Sequence, residues 1–235
     1  MIKYNFFRYI FPPRPENAVS PDVLSDYDNN EYLAQPKLNG DCVEIYTNGI
    51  EILIYNRHKK LFKKSAQYKD RFIKLHRETL GAGKDKNKWM VLVGEFMDKG
   101  KLNDWGENFN NNFVIHDIIV YDSMQLVGKT YLERVEMLDK MFGKDDLEII
   151  KNNKAFPAGV RKLKFLYVTT VECVYRVKSF RDCFGALWND IAKINGIYEG
   201  LVLKRCDTQL ENGITQQNNM AGQVKIRIPT KLYLY

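Results

Sequence analysis

The chain has 235 residues, 45% of them hydrophobic, and a formal net charge of +7 at pH 7. It is long enough for a full core, as one large domain or two small ones, and too apolar for a disordered chain. The basic residues are spread along the chain instead of gathered in a tail, a balance that favours a polyanion such as nucleic acid. Cys42, Cys173, Cys183 and Cys206 stand isolated, with no Cys-x-x-Cys and no histidine at ligand spacing. That speaks against a zinc site or a disulfide frame and for a reduced, cytoplasmic protein.

Taken in order, residues 1–31 mix aromatics (Phe6, Phe7, Tyr9, Phe11) with Pro12-Pro13-Arg14-Pro15, and the prolines impose an extended path. An N-terminal arm laid over the domain is expected, with Arg8 and Arg14 able to reach phosphate. Strands are expected over Tyr32 to Gln35, stopped by Pro36, and over Cys42 to Thr47, with a turn at Asn39-Gly40 between them. Lys37 sits at the mouth of that turn, where a lysine can act as a nucleophile once burial or neighbouring cations remove its proton. Asn48-Gly49 is a hairpin signal requiring positive φ, and Ile50 to Tyr55 returns. Leu61, Tyr68, Phe72 and Leu75 keep helical spacing on a basic segment that runs to Leu80, followed by a polar loop from Gly81 to Lys88. Met90 to Phe96 is an apolar run, Lys99 to Asn112 a loop with the Asn run at its tip, and Phe113 to Tyr121 a strand. Thr130-x-x-Glu133 is a capping box that opens a helix ending at Gly143, with Leu132, Val135, Leu138 and Phe142 on its buried face. Phe165 to Val171 reads as a strand, and Ser179 to Asn195 as a helix opened by Ser179-x-x-Asp182. Tyr198 to Lys204 and Gln223 to Ile228 are the last strands. With no repeat and no linker, the pattern is one α+β domain of antiparallel sheets flanked by helices. No apolar stretch is long enough to cross a bilayer and no signal peptide is visible, so no membrane partner is expected.

Four charges stand in apolar, strand-like settings where a charge is expensive unless used or paired: Lys37, Glu95, Glu199 and Lys225. Alternation puts Lys225 and Arg227 on one face, and an anion between two such cations resolves their repulsion.

Lys37-x-Asn39-Gly40, Gly94-Glu95-Phe96, Phe113-Val-Ile-His116-Asp117-Ile118, Glu199-Gly-Leu-Val-Leu-Lys204 and Lys225-Ile-Arg227 follow one another in a fixed order. In that order the chain resembles the covalent nucleotidyltransferases: ATP-dependent DNA ligases, RNA ligases and mRNA capping guanylyltransferases. The resemblance spans roughly Tyr32 to Arg227. It implies a ligase adenylation domain in which Lys37 attacks the α-phosphate of ATP and becomes lysyl-adenylate. It further implies that Arg57 holds the nucleotide and the nicked end, that Glu95 accepts hydrogen bonds from the ribose, and that His116 stands where a Phe or Tyr usually stacks on the purine. Glu199 would bind the catalytic Mg²⁺ or Mn²⁺, Lys204 belongs to the same motif, and Lys225 and Arg227 replace the paired lysines on the phosphates. The partners implied are nicked or broken RNA or DNA ends, sealed by a monomer.

Three departures stand out: Asn39 for the usual aspartate, Cys42 where many DNA ligases carry an arginine, and Arg227 for a lysine. The sequence runs only to Tyr235, so no oligonucleotide-binding barrel is expected after Arg227. That and Asn39 favour RNA over DNA, and so short a ligase suggests a phage or viral origin. A DNA ligase, guanylyl transfer to RNA 5′-diphosphates, or a non-catalytic nucleic-acid-binding domain are the alternatives.

Overall fold

The computed structural model describes residues 2–4, 8–80, 88–98, 100–142, 163–194 and 196–229. The polar loop expected at Gly81 to Lys88 lies outside them but for its last residue. So do Phe6, Phe7, Gly143, Asn195 and Tyr235.

Two sheets pack together. The smaller is built from β2 (Arg14–Ala18), β3 (Tyr32–Leu38), β11 (Tyr198–Arg205) and β12 (Asn219–Arg227) in the order β2-β12-β11-β3. The larger runs β1-β8-β7-β6-β4-β5, from β1 (Ile2–Lys3), β8 (Met124–Gln125), β7 (Asn112–Tyr121), β6 (Met90–Met97), β4 (Asp41–Thr47) and β5 (Ile52–Asn56). Beside β7 lies β10 (Val174–Val177), itself paired with β9 (Leu166–Val168). Pairing is antiparallel except at β2–β12 and β7–β10. Among the described residues the α-helices are α1 (Leu24–Tyr27), α2 (Lys69–Leu80), α3 (Tyr131–Phe142) and α4 (Phe184–Ala192).

The hydrophobic pattern explains this layering. Met90 to Val93 on β6 are fully buried, as befits a central strand covered on both faces, and they join Tyr68, Phe72 and Leu75 in one core. In the smaller sheet, period-2 alternation sends Ala34, Leu201, Leu203, Val224 and Ile226 into a second core with Phe184, Leu187 and Ile191 of α4. The opposite face of that sheet carries Gln35, Lys37, Lys204, Gln223, Lys225 and Arg227 together with Leu33 and Val202.

The Asn48-Gly49 turn forms with Gly49 at φ +82°. The capping box forms too: Thr130 N–H donates to Glu133 Oε2 at 2.8 Å and Glu133 N–H to Thr130 Oγ1 at 3.2 Å. On α3 the buried face is Tyr131, Arg134, Val135, Leu138 and Phe142, with Leu132 half-buried.

Several expectations are corrected. Pro36 does not stop its strand; β3 continues through Pro36 and Lys37 to Leu38. Ala34 exchanges both backbone bonds with Phe180 on the outer side of β3, so Pro36, two residues on, turns its missing donor to that same outer edge. Asn39-Gly40 does not close a hairpin, because β3 and β4 belong to different sheets and the chain crosses between them there. Leu61 is 55% exposed and makes an isolated bridge to Tyr55 instead of joining a helix, which begins as a 3₁₀ turn at Ser65–Tyr68. Asn112 is a buried strand residue, not a loop tip. The strand expected over Phe165 to Val171 is only Leu166–Val168. Ser179 and Asp182 do not open a helix. Phe180 is held extended by Ala34, and α4 begins at Phe184, whose N–H donates instead to Asp28 Oδ2 at 3.1 Å.

A buried ion pair ties α3 to the larger sheet. Arg134 Nε and Nη2 donate to Asp117 Oδ1 and Oδ2 at 2.9 and 3.1 Å, with the two side chains 0% and 1% exposed. Replacing one partner strands the other charge in the core. Arg134→Met is therefore expected to lower the unfolding free energy by about 3–5 kcal/mol, read by urea denaturation. Arg134→Met/Asp117→Leu should recover most of that loss.

Candidate active site

Strand register lays the functional side chains out in three rows on the polar face of the smaller sheet. Gly200 of β11 pairs with Lys37 on one side and Arg227 on the other; Val202 pairs with Gln35 and Lys225; Lys204 pairs with Leu33 and Gln223. Gly200 carries φ +140°, and a Cβ there would meet Ile226 O at 1.9 Å, so only glycine admits the irregular pairing that sets Glu199 beside Lys37. Glu199 Oε1 contacts Lys37 Nζ and lies 3.9 Å from Arg227 Nε.

The larger sheet closes the other side. Glu95 comes from β6, Cys42 pairs with it from β4, and Arg57 follows β5. His116 falls where the β6–β7 register shifts between Val93 and Gly94, and such an irregularity re-aims a strand side chain. Together Lys37, Arg57, Glu95, His116, Lys204, Lys225 and Arg227 line one cavity of about 340 Å³. Residues from opposite ends of the chain thus meet there, as Lys37 and Lys225 do on adjacent rows. Glu199 is not among the lining residues but contacts Lys37. Pro12 to Glu16 of the N-terminal arm complete the lining. Arg14 is among them, with its Nε 2.5 Å from Asn219 Oδ1, whereas Arg8 is not.

The electrostatics follow from burial and charge. Burial pushes the Glu95 carboxyl up to about 8, with Glu199 and Asp41 adding to the effect and Lys37 opposing it. Burial, with Lys204 beside it, drives the His116 imidazole down to about 3, so the ring is neutral at physiological pH. Burial lowers Lys204 to about 8, against the pull of Asp117. Lys225 is lowered by burial and then by Arg227, Lys37 and Arg14. Burial works against the charge on Asp117, yet Arg134 and Lys204 outweigh it and hold the carboxyl below its usual value. The Cys42 thiol is raised by burial and by Glu95 and Glu44. Glu95 Oε2 and His116 Nδ1 have no hydrogen-bond partner among the described residues, so the wall offers an acceptor and an imidazole nitrogen to whatever enters.

Sequence reasoning missed Gln35 and Gln223, both in the wall. The signal was there: each stands two residues before a lysine of the site, on the same face of its strand. Among the described residues no group of three or more His, Cys, Asp or Glu could hold a metal ion. An ion at this site would therefore rest on few protein ligands, a habit of Mg²⁺, which keeps water and phosphate oxygens around it.

Residues 30–220 match the RNA ligase family, and the chain belongs to that family. No curated protein matches it. Among solved structures it is similar to the ligase domain from M. tuberculosis LigD, with 14% identity over 93% of this chain and 59% of that one and a TM-score of 0.58. A mycobacterial DNA ligase D complexed with ATP and MES is 16% identical over 93% of this chain and 60% of that one, TM-score 0.56. The ATP-dependent DNA ligase from bacteriophage T7, in complex with ATP, is 14% identical over 92% and 68%, TM-score 0.53. At these identities the likeness is one of fold, and the chain spans 59% of the length of the LigD ligase domain.

Glu95 keeps its proton to about pH 8 in the folded chain but loses it near 4.5 when unfolded. Between those values the folded state binds the extra proton, so stability falls as pH rises. Glu44, also raised to about 8 by burial, acts in the same window, so the difference between two proteins isolates Glu95. Relative to wild type, Glu95→Gln should gain roughly 1 kcal/mol of stability per pH unit between about pH 5 and 8. Parallel stability curves from denaturant titrations at several pH values would refute this assignment.

Proposed function

We propose that this chain is an ATP-dependent polynucleotide ligase, working through a lysyl-adenylate and joining 3′-hydroxyl to 5′-phosphate ends, with RNA preferred over DNA. The observation that carries the reading is the convergence of Lys37, Arg57, Glu95, His116, Lys204, Lys225 and Arg227 on one cavity, with Glu199 in contact with Lys37.

In the first step the deprotonated Nζ of Lys37 attacks the α-phosphorus of ATP; the new N–P bond forms as the P–O bond to pyrophosphate breaks. Lys225 and Arg227, neighbours on one face of β12, neutralise the phosphate oxygens in this in-line displacement. The Arg227 fork can hold two oxygens at once. Glu95 accepts from the ribose hydroxyls, and the neutral His116 ring lies against the purine. Mg²⁺ or Mn²⁺ would be held by Glu199 with phosphate oxygens and water, and supplies charge neutralisation at the transferred phosphate. The adenylate then passes to a polynucleotide 5′-phosphate, and a 3′-hydroxyl displaces AMP to seal the strand.

Two features support the choice of substrates. Gln35 Nε2 donates to Ser179 Oγ at 3.1 Å and to the His116 carbonyl at 3.5 Å, which leaves only its oxygen, an acceptor, for a ligand. An acceptor there suits the exocyclic amine of adenine and opposes the O6 of guanine, favouring ATP over GTP. Exposed Lys59, Lys60, Lys63 and Lys69 follow Arg57 along the chain, a track suited to a polynucleotide backbone. Membership of the RNA ligase family and Asn39 in place of an aspartate support RNA. The described chain works in this reading as one adenylation domain, with residues 1–31 as an arm against it.

Incubation with α-labelled ATP and Mg²⁺ or Mn²⁺ should leave acid-stable label on the protein. Lys37→Ala should abolish it, and Lys225→Ala should slow it by about 100-fold or more. Nicked duplexes with RNA or DNA on the 3′ side should be sealed faster with RNA. Pure protein that takes no label from ATP, or takes it from GTP instead, defeats the proposal.

A further inference from the structure

Gln223 is 1% exposed, yet neither its Nε2 nor its Oε1 has a hydrogen-bond partner among the described residues. It lines the same cavity as Lys37. A carboxamide buried with both ends unpaired is costly, and folded chains retain such groups where a ligand completes them. Its neighbours make no use of the amide. Val224, next on the strand, packs in the core, while Lys204, opposite on β11, turns to Asp117 and to the Tyr131 ring, 4.7 Å away.

Position narrows what the ligand group can be. Along β12, Gln223 stands four residues before Arg227, about 13 Å from the row that holds Lys37. Lys37, Lys225 and Arg227 occupy the two rows nearer Lys37, while Lys204 of the far row is drawn to Asp117, so phosphates belong on the nearer rows and the far row faces the other end of a nucleotide. A carboxamide offers one donor and one acceptor side by side, which is the complement of a nucleobase edge. Gln35, across Val202 on the opposite strand, contributes only an acceptor. We propose that Gln223 reads the nucleobase of the bound nucleotide, pairing its carboxamide with the edge of the purine, and so sets base selectivity together with Gln35. This rests on the nucleotide-binding function proposed above.

The test measures affinity of the full chain for ATP and for inorganic tripolyphosphate, by calorimetry, in wild type, Gln223→Leu and the unbranched Gln223→Met. Both variants remove the unpaired amide, so their thermal midpoints should equal or exceed that of wild type. ATP should bind at least tenfold more weakly to either variant that folds, while tripolyphosphate binding stays within twofold. Unchanged ATP affinity overturns the proposal, and so does an equal loss for both ligands, which would make Gln223 a phosphate contact. Wild type that binds neither ligand would instead overturn the nucleotide-binding reading itself, a result distinct from the other two.

Discussion

Lys37, Glu199, Lys204, Lys225 and Arg227 all depend on the pairing of β11 with β3 on one side and β12 on the other. The pleat turns alternate residues of each strand to opposite faces, and register decides which residues stand abreast. A slip of a single residue on β12 would carry Lys225 and Arg227 into the core with Leu187 and Ile191 and turn Val224 and Ile226 to the cavity. The apolar face thus does more than stabilise the sheet. It holds the cations in place, because a one-residue slip cannot bury Leu201, Leu203, Val224 and Ile226 together.

The cavity concentrates groups that a core would reject. Lys37, Lys225 and Arg227 stand on adjacent rows, and the carboxylate in contact with Lys37 is Glu199. Behind them the Asp117–Arg134 pair compensates itself and also draws on Lys204. Burial leaves Glu95 and His116 largely neutral near physiological pH. The wall therefore gathers its cations on the sheet that carries Lys37, while Arg57 is the one charge among the lining residues from the sheet that carries Glu95. A ligand that is anionic at one end and uncharged at the other matches that gradient.

Much of this was legible in the sequence, and for definite reasons. Alternation alone put Lys225 and Arg227 side by side. The order of short motifs from Lys37 to Arg227 brought together residues that meet only in the folded chain. Turn and cap chemistry located the Gly49 turn and the start of α3, since both are settled within four residues. What failed depended on distant partners. Pro36 reads as a strand breaker until the open side of β3 is known, and Asn39-Gly40 reads as a hairpin until the strands around it are assigned to different sheets. Ser179 and Asp182 have the spacing of a helix start, but Ala34 claims Phe180 first and Asp28 caps α4 from far away in the chain. Gln35 and Gln223 escaped notice because they carry no charge to mark them, although period 2 put them beside the lysines.

The arm strand β2 lies parallel to β12, and past it Val19 N–H donates to the carbonyl of Lys225 at 3.0 Å. The N-terminal residues are thereby stitched to the backbone of the strand that carries Lys225 and Arg227. Shortening the chain from that end would strip β12 of its outer neighbour and leave a row of bare amides and carbonyls, the sort of rim that recruits strands from other molecules. A trimmed protein would then risk self-association at the very edge that shapes the cavity, whatever the state of its side chains.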